Sequence, residues 1–139
     1  MEKISQGLTE KSLEEEYLAA LNGTIFQADA LQKNGSYQEA GRLYREILLA
    51  FPRDAELITR ASLAPEQAMA GIDTCAEKLM GQGLVAYRSG DLTHAIEIWQ
   101  GVLTFHPQYE PARTAMDTAK RQLNNLKTME EKTGEKNIK

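Results

Sequence analysis

The residues of this chain that could do chemistry are few: one cysteine, Cys75, two histidines, His94 and His106, and a short "GQG" at 81–83. A nucleophilic thiol needs a histidine or a cationic neighbour to become thiolate. No histidine stands near Cys75 in sequence, and Cys75 is expected as a small core side chain. Two histidines twelve residues apart, with no cysteine or carboxylate cluster, lack the ligand spacing of a metal site. His94 is expected on the outer side of a helix. His106 is expected in a last helical turn, where a cationic group is favoured by the helix dipole. The "GQG" has no strand before it and no lysine after it, so it does not read as a phosphate loop. No serine–histidine–acid set or carboxylate pair stands out. The expectation is therefore a non-enzyme without cofactor or metal.

The bulk composition agrees with that. The chain has 139 residues, 42% of them hydrophobic and 26% charged, with a net charge of −4, which describes one soluble domain with a real core. Nothing in the acidic balance advertises the clustered basic face that phosphates ask for, so nucleic acid is not expected as a partner. No apolar run is long enough to span a bilayer, and "MEKISQGLTEKSLEEE" lacks the hydrophobic stretch of a secretory signal. No membrane insertion and a cytoplasmic location are expected. A lone cysteine forms no internal disulfide.

Apolar residues recur at helical spacing nearly throughout, and β-type alternation is almost absent. Five main helices are expected. The first opens at Ser12, with Glu15 as its capping-box partner, buries Leu13, Tyr17, Ala20, Leu21, Ile25, Ala28 and Leu31, and ends at Asn34-Gly35. The second runs from an N-cap at Ser36, with Glu39 three residues on, to Pro52. The third begins near Pro65 and buries Met69, Ile72, Ala76, Leu79, Gly83 and Ala86. The fourth is capped by Asp91 and ends near His106-Pro107. The fifth starts at Glu110-Pro111 and turns Ala112, Met116, Ala119, Leu123 and Leu126 inward. A short extra helix is expected within 55–64. Residues 1–11 and 132–139 are expected as flexible tails, with fraying beyond Lys127.

The chain also echoes itself. Gly35, Ala40, Tyr44 and Pro52 match Gly90, Ala95, Trp99 and Pro107, each at an offset of 55. A second echo, at an offset of 44, relates "EQAMAGIDTCAEKL" (66–79) to "EPARTAMDTAKRQL" (110–123). These spacings have a packing reason. Glycine ends a helix cheaply in the left-handed conformation. Ala40 and Ala95, facing Ala28 and Gly83, let antiparallel helices approach closely. Tyr44 or Trp99 then fills the gap where the helices splay, and proline stops the second helix.

The doubled glycine–alanine–aromatic–proline set resembles the tetratricopeptide repeat (TPR), a helix–turn–helix unit of about 34 residues. That resemblance implies an all-α, right-handed stack of antiparallel hairpins in one domain, residues 12–131. Repeat 1 would span 21–54, an insertion 55–75, repeat 2 76–109 and a capping helix 110–131. Thr24 and Leu79, Gln27 and Gln82, and Ile47 and Val102 depart from the family's usual tryptophan, leucine and alanine. The resemblance also implies a protein-binding scaffold or adaptor with a concave groove. Its lining would be Asn22, Ile25, Asp29, Gln32 and Lys33 from the first repeat, Glu77, Met80, Leu84, Tyr87 and Arg88 from the second, and Arg121 and Asn124 from the cap. Met80, Leu84 and Tyr87 could equally pack against the first helix or the 55–64 insertion. Ile25, Asp29 and Gly81 stand where family members that grip acidic C-terminal tails carry lysine or asparagine, so that binding mode is not expected. The alternatives are a homo-oligomerisation element, such as a homodimer, or an accessory domain of a larger assembly, and, with less support, a small-ligand carrier or enzyme.

Overall fold

In the computed structural model, which describes the backbone of residues 2–138 and the side chains of residues 11–133, the fold is all-α. Six helices follow one another as antiparallel neighbours: α1 (Glu2–Lys33), α2 (Tyr37–Ala50), α3 (Ala55–Arg60), α4 (Pro65–Arg88), α5 (Leu92–Phe105) and α6 (Glu110–Ile138). No strand occurs among the described residues. The chain divides into two compact units, residues 1–75 and 76–139, and the division falls inside α4.

In the first unit α1 packs on α2. The turn between them is built by backbone alone: Gly35 N donates to Gln32 O (3.1 Å) and Ser36 N to Leu31 O (2.9 Å), with Gly35 at φ +85°. That pair of bonds is the glycine-ended helix stop in which two orphan carbonyls find donors. Ser36 is the N-cap of α2, as expected, but its side chain makes no capping bond. The expected box with Glu39 does not form. The chain also begins its helix at Glu2, ten residues before Ser12, so Ser12 and Glu15 lie in a helix interior where no free N–H groups need capping.

The buried stripe of α1 is Leu18, Leu21, Ile25 and Ala28. Leu13 and Tyr17 are exposed, at 59% and 42%, as is Ala20, while Leu31 is half-buried. For Leu13 the reason is length, whereas Tyr17 and Ala20 line an open hollow with Glu46, Ile47 and Ala50 of α2, and Leu31 lines one with Leu43. α2 has 14 residues against 32 in α1, so at about 1.5 Å per residue it covers about 21 Å of its neighbour. The start of α1 overhangs. After Pro52 the chain makes α3, the short helix expected in the insertion. The Asp54 side chain accepts from Glu56 N (2.9 Å) to cap it. The Asn22 carboxamide accepts from Ser62 N (2.8 Å), which ties the insertion back to α1. The first half of α4 then closes the unit with Ala68, Ile72 and Cys75.

The second unit repeats the plan. Gly90 N donates to Tyr87 O (3.1 Å) and Asp91 N to Ala86 O (2.9 Å), with Gly90 at φ +88°. Here the cap is made by a side chain, since the Asp91 carboxylate accepts from His94 N (3.1 Å). α5 buries Leu92, Ala95, Trp99, Val102 and Phe105, and α6 packs on α5 through Ala112, Met116 and Ala119. Leu126 is 50% exposed rather than buried, for the same reason as Leu13: α6 outruns the 14-residue α5. The helix also continues to Ile138 where fraying from Lys127 was expected. Helical backbone thus enters both terminal segments expected as flexible. Residues 1 and 139, and the side chains of 2–10 and 134–138, lie outside the described residues.

The 44-residue echo has a counterpart in burial. Ala68 and Ala112 are both fully buried, Ile72 and Met116 are 5% and 8% exposed, and Cys75 and Ala119 are both fully buried. Each unit is thus a hairpin followed by a closing helix. Met69, expected inside, is 53% exposed; its partner in the echo is Arg113, a residue that also needs water. The closing helices repeat at 44 and the hairpins at 55, and the difference of 11 residues is taken up by the α3 segment.

Candidate functional site

The two aromatic wedges sit at matched positions with different neighbours, and that difference decides what the flanking residues can do. Ala28, Ala40 and Ala95 are fully buried, and Tyr44 and Trp99 are 3% and 1% exposed. The Tyr44 ring lies under Gly71 of α4, where a methyl group would stand 2.9 Å from Cδ2. Its hydroxyl is 2.5 Å from Asp29 Oδ1 and 2.7 Å from the Gln32 amide. A phenol has one proton to give. Asp29 Oδ1 and Gln32 Oε1 are the two acceptors within its reach, and the charged carboxylate is the stronger of them. Burial first, then the bond to Asp29 and its negative charge, push the Tyr44 hydroxyl well above its ordinary value of 10.0.

Removing that hydroxyl leaves Asp29 without its donor. Tyr44→Phe is expected to cost about 1.5–3 kcal/mol, the range for a hydrogen bond to a charged group, measured by urea unfolding at pH 7. The sign with pH follows from linkage. A folded-state value above the unfolded one gives stability that is fully present below about pH 10 and is lost as pH rises further. Wild type should therefore weaken more steeply above pH 10 than Tyr44→Phe, and parallel curves would contradict the assignment.

The five groove residues expected from the first repeat all lie in this unit. Ile25 is buried at 2%, Asp29 and Gln32 are held by Tyr44, and Lys33 is exposed in the last turn of α1. Asn22 holds the insertion.

In the second unit the positions 55 residues further on carry different side chains. Trp99 has no hydroxyl to satisfy, so positions 84 and 87, which match Asp29 and Gln32, need no carboxylate or amide. They are leucine and tyrosine instead. The Trp99 indole N–H points to the Met80 carbonyl at 3.4 Å. Tyr87 lays its ring 6.1 Å from Trp99, tilted by 40°, and its hydroxyl donates to Gln122 Oε1 at 2.7 Å, bracing α4 against α6. Met80 and Tyr87 are half-buried and Leu84 is 37% exposed. Glu77 and Arg88 on α4 and Arg121 and Asn124 on α6 are exposed. The steps 77, 80, 84, 87 and 88 share one helix face, so this unit presents an apolar strip with charged ends.

Cys75 is fully buried, and burial pushes its thiol up to about 11, which disfavours the reactive thiolate. His94 stands in solvent 3.8 Å from Glu97, and the His106 ring lies 4.9 Å from that of Tyr109. No group of three or more His, Cys, Asp or Glu that could hold a metal ion occurs among the described residues. Among those residues no helix is long and apolar enough to cross a membrane.

Two surface features were not legible beforehand. A shallow hollow beside α1 and α2 is lined by Phe26, Gln27, Ala30, Leu31, Asn34 and Leu43. Another beside α4 and α5 is lined by Gln82, Val85, Ala86, Ser89, Asp91, His94 and Ile98. Five residues of the first lining have a counterpart 55 residues on in the second, while Phe26 lines only the first and Asp91 and His94 only the second. The other feature is Phe26 itself, 76% exposed on the outer face of α1. Its signal in the sequence is an aromatic residue off the buried stripe, between the small residues Gly23 and Ala30.

No protein-family model matches the chain, and neither a curated protein nor a solved structure matches it. What the geometry defines is an all-helical chain of six sequentially packed helices.

Proposed function

We propose that the chain is a divergent TPR-like module, cytoplasmic and without catalysis of its own, that binds a protein or peptide segment. The repeat reading is supported by the doubled turn, the matched burial of Ala28, Ala40 and Tyr44 with Gly83, Ala95 and Trp99, and the five hollow-lining residues that have a counterpart 55 residues on. The observation that carries the binding reading is the exposed strip of the second unit. Leu84, 37% exposed, lies between a half-buried Met80 and a Tyr87 already fixed by Gln122, and Arg88 and Arg121 are exposed on the same two helices. An apolar centre with a polar rim is the anatomy of a docking surface, and a pre-fixed tyrosine loses little freedom on binding. In the first unit Asp29 and Gln32 are engaged by Tyr44, so the proposal centres on α4 and α6.

The test is partner capture by the immobilised full chain from cells that make it, comparing wild type with Leu84→Asp. A specific partner should bind wild type and lose about tenfold or more in affinity to the variant, with helical content unchanged by circular dichroism. Equal capture by both proteins would overturn this site.

A further inference from the structure

Helix α1 turns outward a stripe that its own unit does not cover. Phe26, the most exposed large apolar side chain among the described residues at 76%, lies on it with Ala19, Gly23 and Ala30, all exposed. Space beside Gly23 is open, since a Cβ there would meet nothing within 4 Å. Exposed Glu16 and Lys33 close the two ends. The numbers 16, 19, 23, 26, 30 and 33 step by 3, 4, 3, 4 and 3, which keeps them on one helix face.

That step pattern reads the same in both directions, and the side chains on it are complementary under reversal. Glu16 and Lys33, Ala19 and Ala30, and Gly23 and Phe26 each sum to 49. Laid antiparallel on an identical helix, the large ring meets the glycine, alanine meets alanine, and each carboxylate meets an ammonium. We propose that this face pairs with the same face of a second copy, forming a twofold dimer through antiparallel α1 helices. A twofold interface must be self-complementary in this way, and the small residues allow the axes to approach to about 8 Å. The two Glu16–Lys33 pairs specify the antiparallel register, because a parallel arrangement sets like charges against each other. One helix face per copy is smaller than the ~800 Å² per partner of a standard interface, so the dimer forms reversibly in the micromolar range. This dimer does not depend on the Leu84 strip, and either can fail alone.

Sedimentation equilibrium of the full chain up to about 1 mM tests it. Wild type should show a monomer–dimer equilibrium. Phe26→Asp should raise the dissociation constant by about tenfold or more, with an unchanged circular dichroism spectrum. Glu16→Lys should weaken the dimer, and adding Lys33→Glu to the same chain should restore it. A wild-type monomer throughout, or a dimer indifferent to Phe26→Asp, overturns the proposal. Failure of the double reversal to restore association overturns the antiparallel register.

Discussion

Trp99→Ala should cost about 3–5 kcal/mol, the range for emptying a buried aromatic site. At about 2–4 °C per kcal/mol for a chain of this size, the midpoint should fall by about 10 °C. The indole is the largest fully buried side chain among the described residues, and it is the wedge that fills the splay of the second hairpin. Its polar group adds little, because the N–H reaches the Met80 carbonyl only at 3.4 Å. Most of the loss is therefore apolar area and cavity, and Trp99→Phe should recover a good part of it. Since this is the chain's only tryptophan, unfolding is followed by circular dichroism at 222 nm. A cost below about 1 kcal/mol would mean that the hairpin closes over the gap, and that the aromatic position is not what holds it.

Two glycines on α4, two residues apart, should respond to alanine with opposite signs. A Cβ on Gly83 would stand 2.7 Å from Trp99 Cδ1 and closer still to Nε1 and Cε2. The ring is buried at 1% exposure and has no room to retreat. Overpacking of this kind costs about 1–3 kcal/mol, beyond the ~1 kcal/mol that alanine gains over glycine in a helix. Gly81 meets nothing within 4 Å, so Gly81→Ala should stabilise by about 0.5–1 kcal/mol. Urea midpoints of the two variants against wild type give the answer. Gly83→Ala at or above wild type would remove the close approach of α4 and α5 from the account of the fold.

Much of the packing plan could be read from spacing. Gly35 and Gly90, the alanines of the crossings and the aromatic wedges are local in their logic: a left-handed turn needs glycine, and a close crossing needs a small side chain. So is the short helix expected within 55–64, whose cap at Asp54 is a local contact. The misplaced residues share a different cause. Leu13 and Leu126 continue a correct apolar periodicity past the point where a partner helix ends, and periodicity does not say how long the neighbour is. Met69 was misplaced in another way, because its helix face is set by the packing of Ala68 and Ile72 on the hairpin before it.

The expected groove shows the same limit. That Asp29 and Gln32 belong to Tyr44, whereas Leu84 and Tyr87 stand at the matching positions beside a tryptophan without a hydroxyl, depends on which polar atoms meet across a hairpin. The amino-acid sequence alone determined the all-helical class, the two glycine turns and the close crossings, because those follow from backbone conformation and side-chain size within a few residues. Only the tertiary structure decided which apolar positions keep water and which polar ones lose it. Burial is a property of two surfaces, and one helix carries the pattern of only its own.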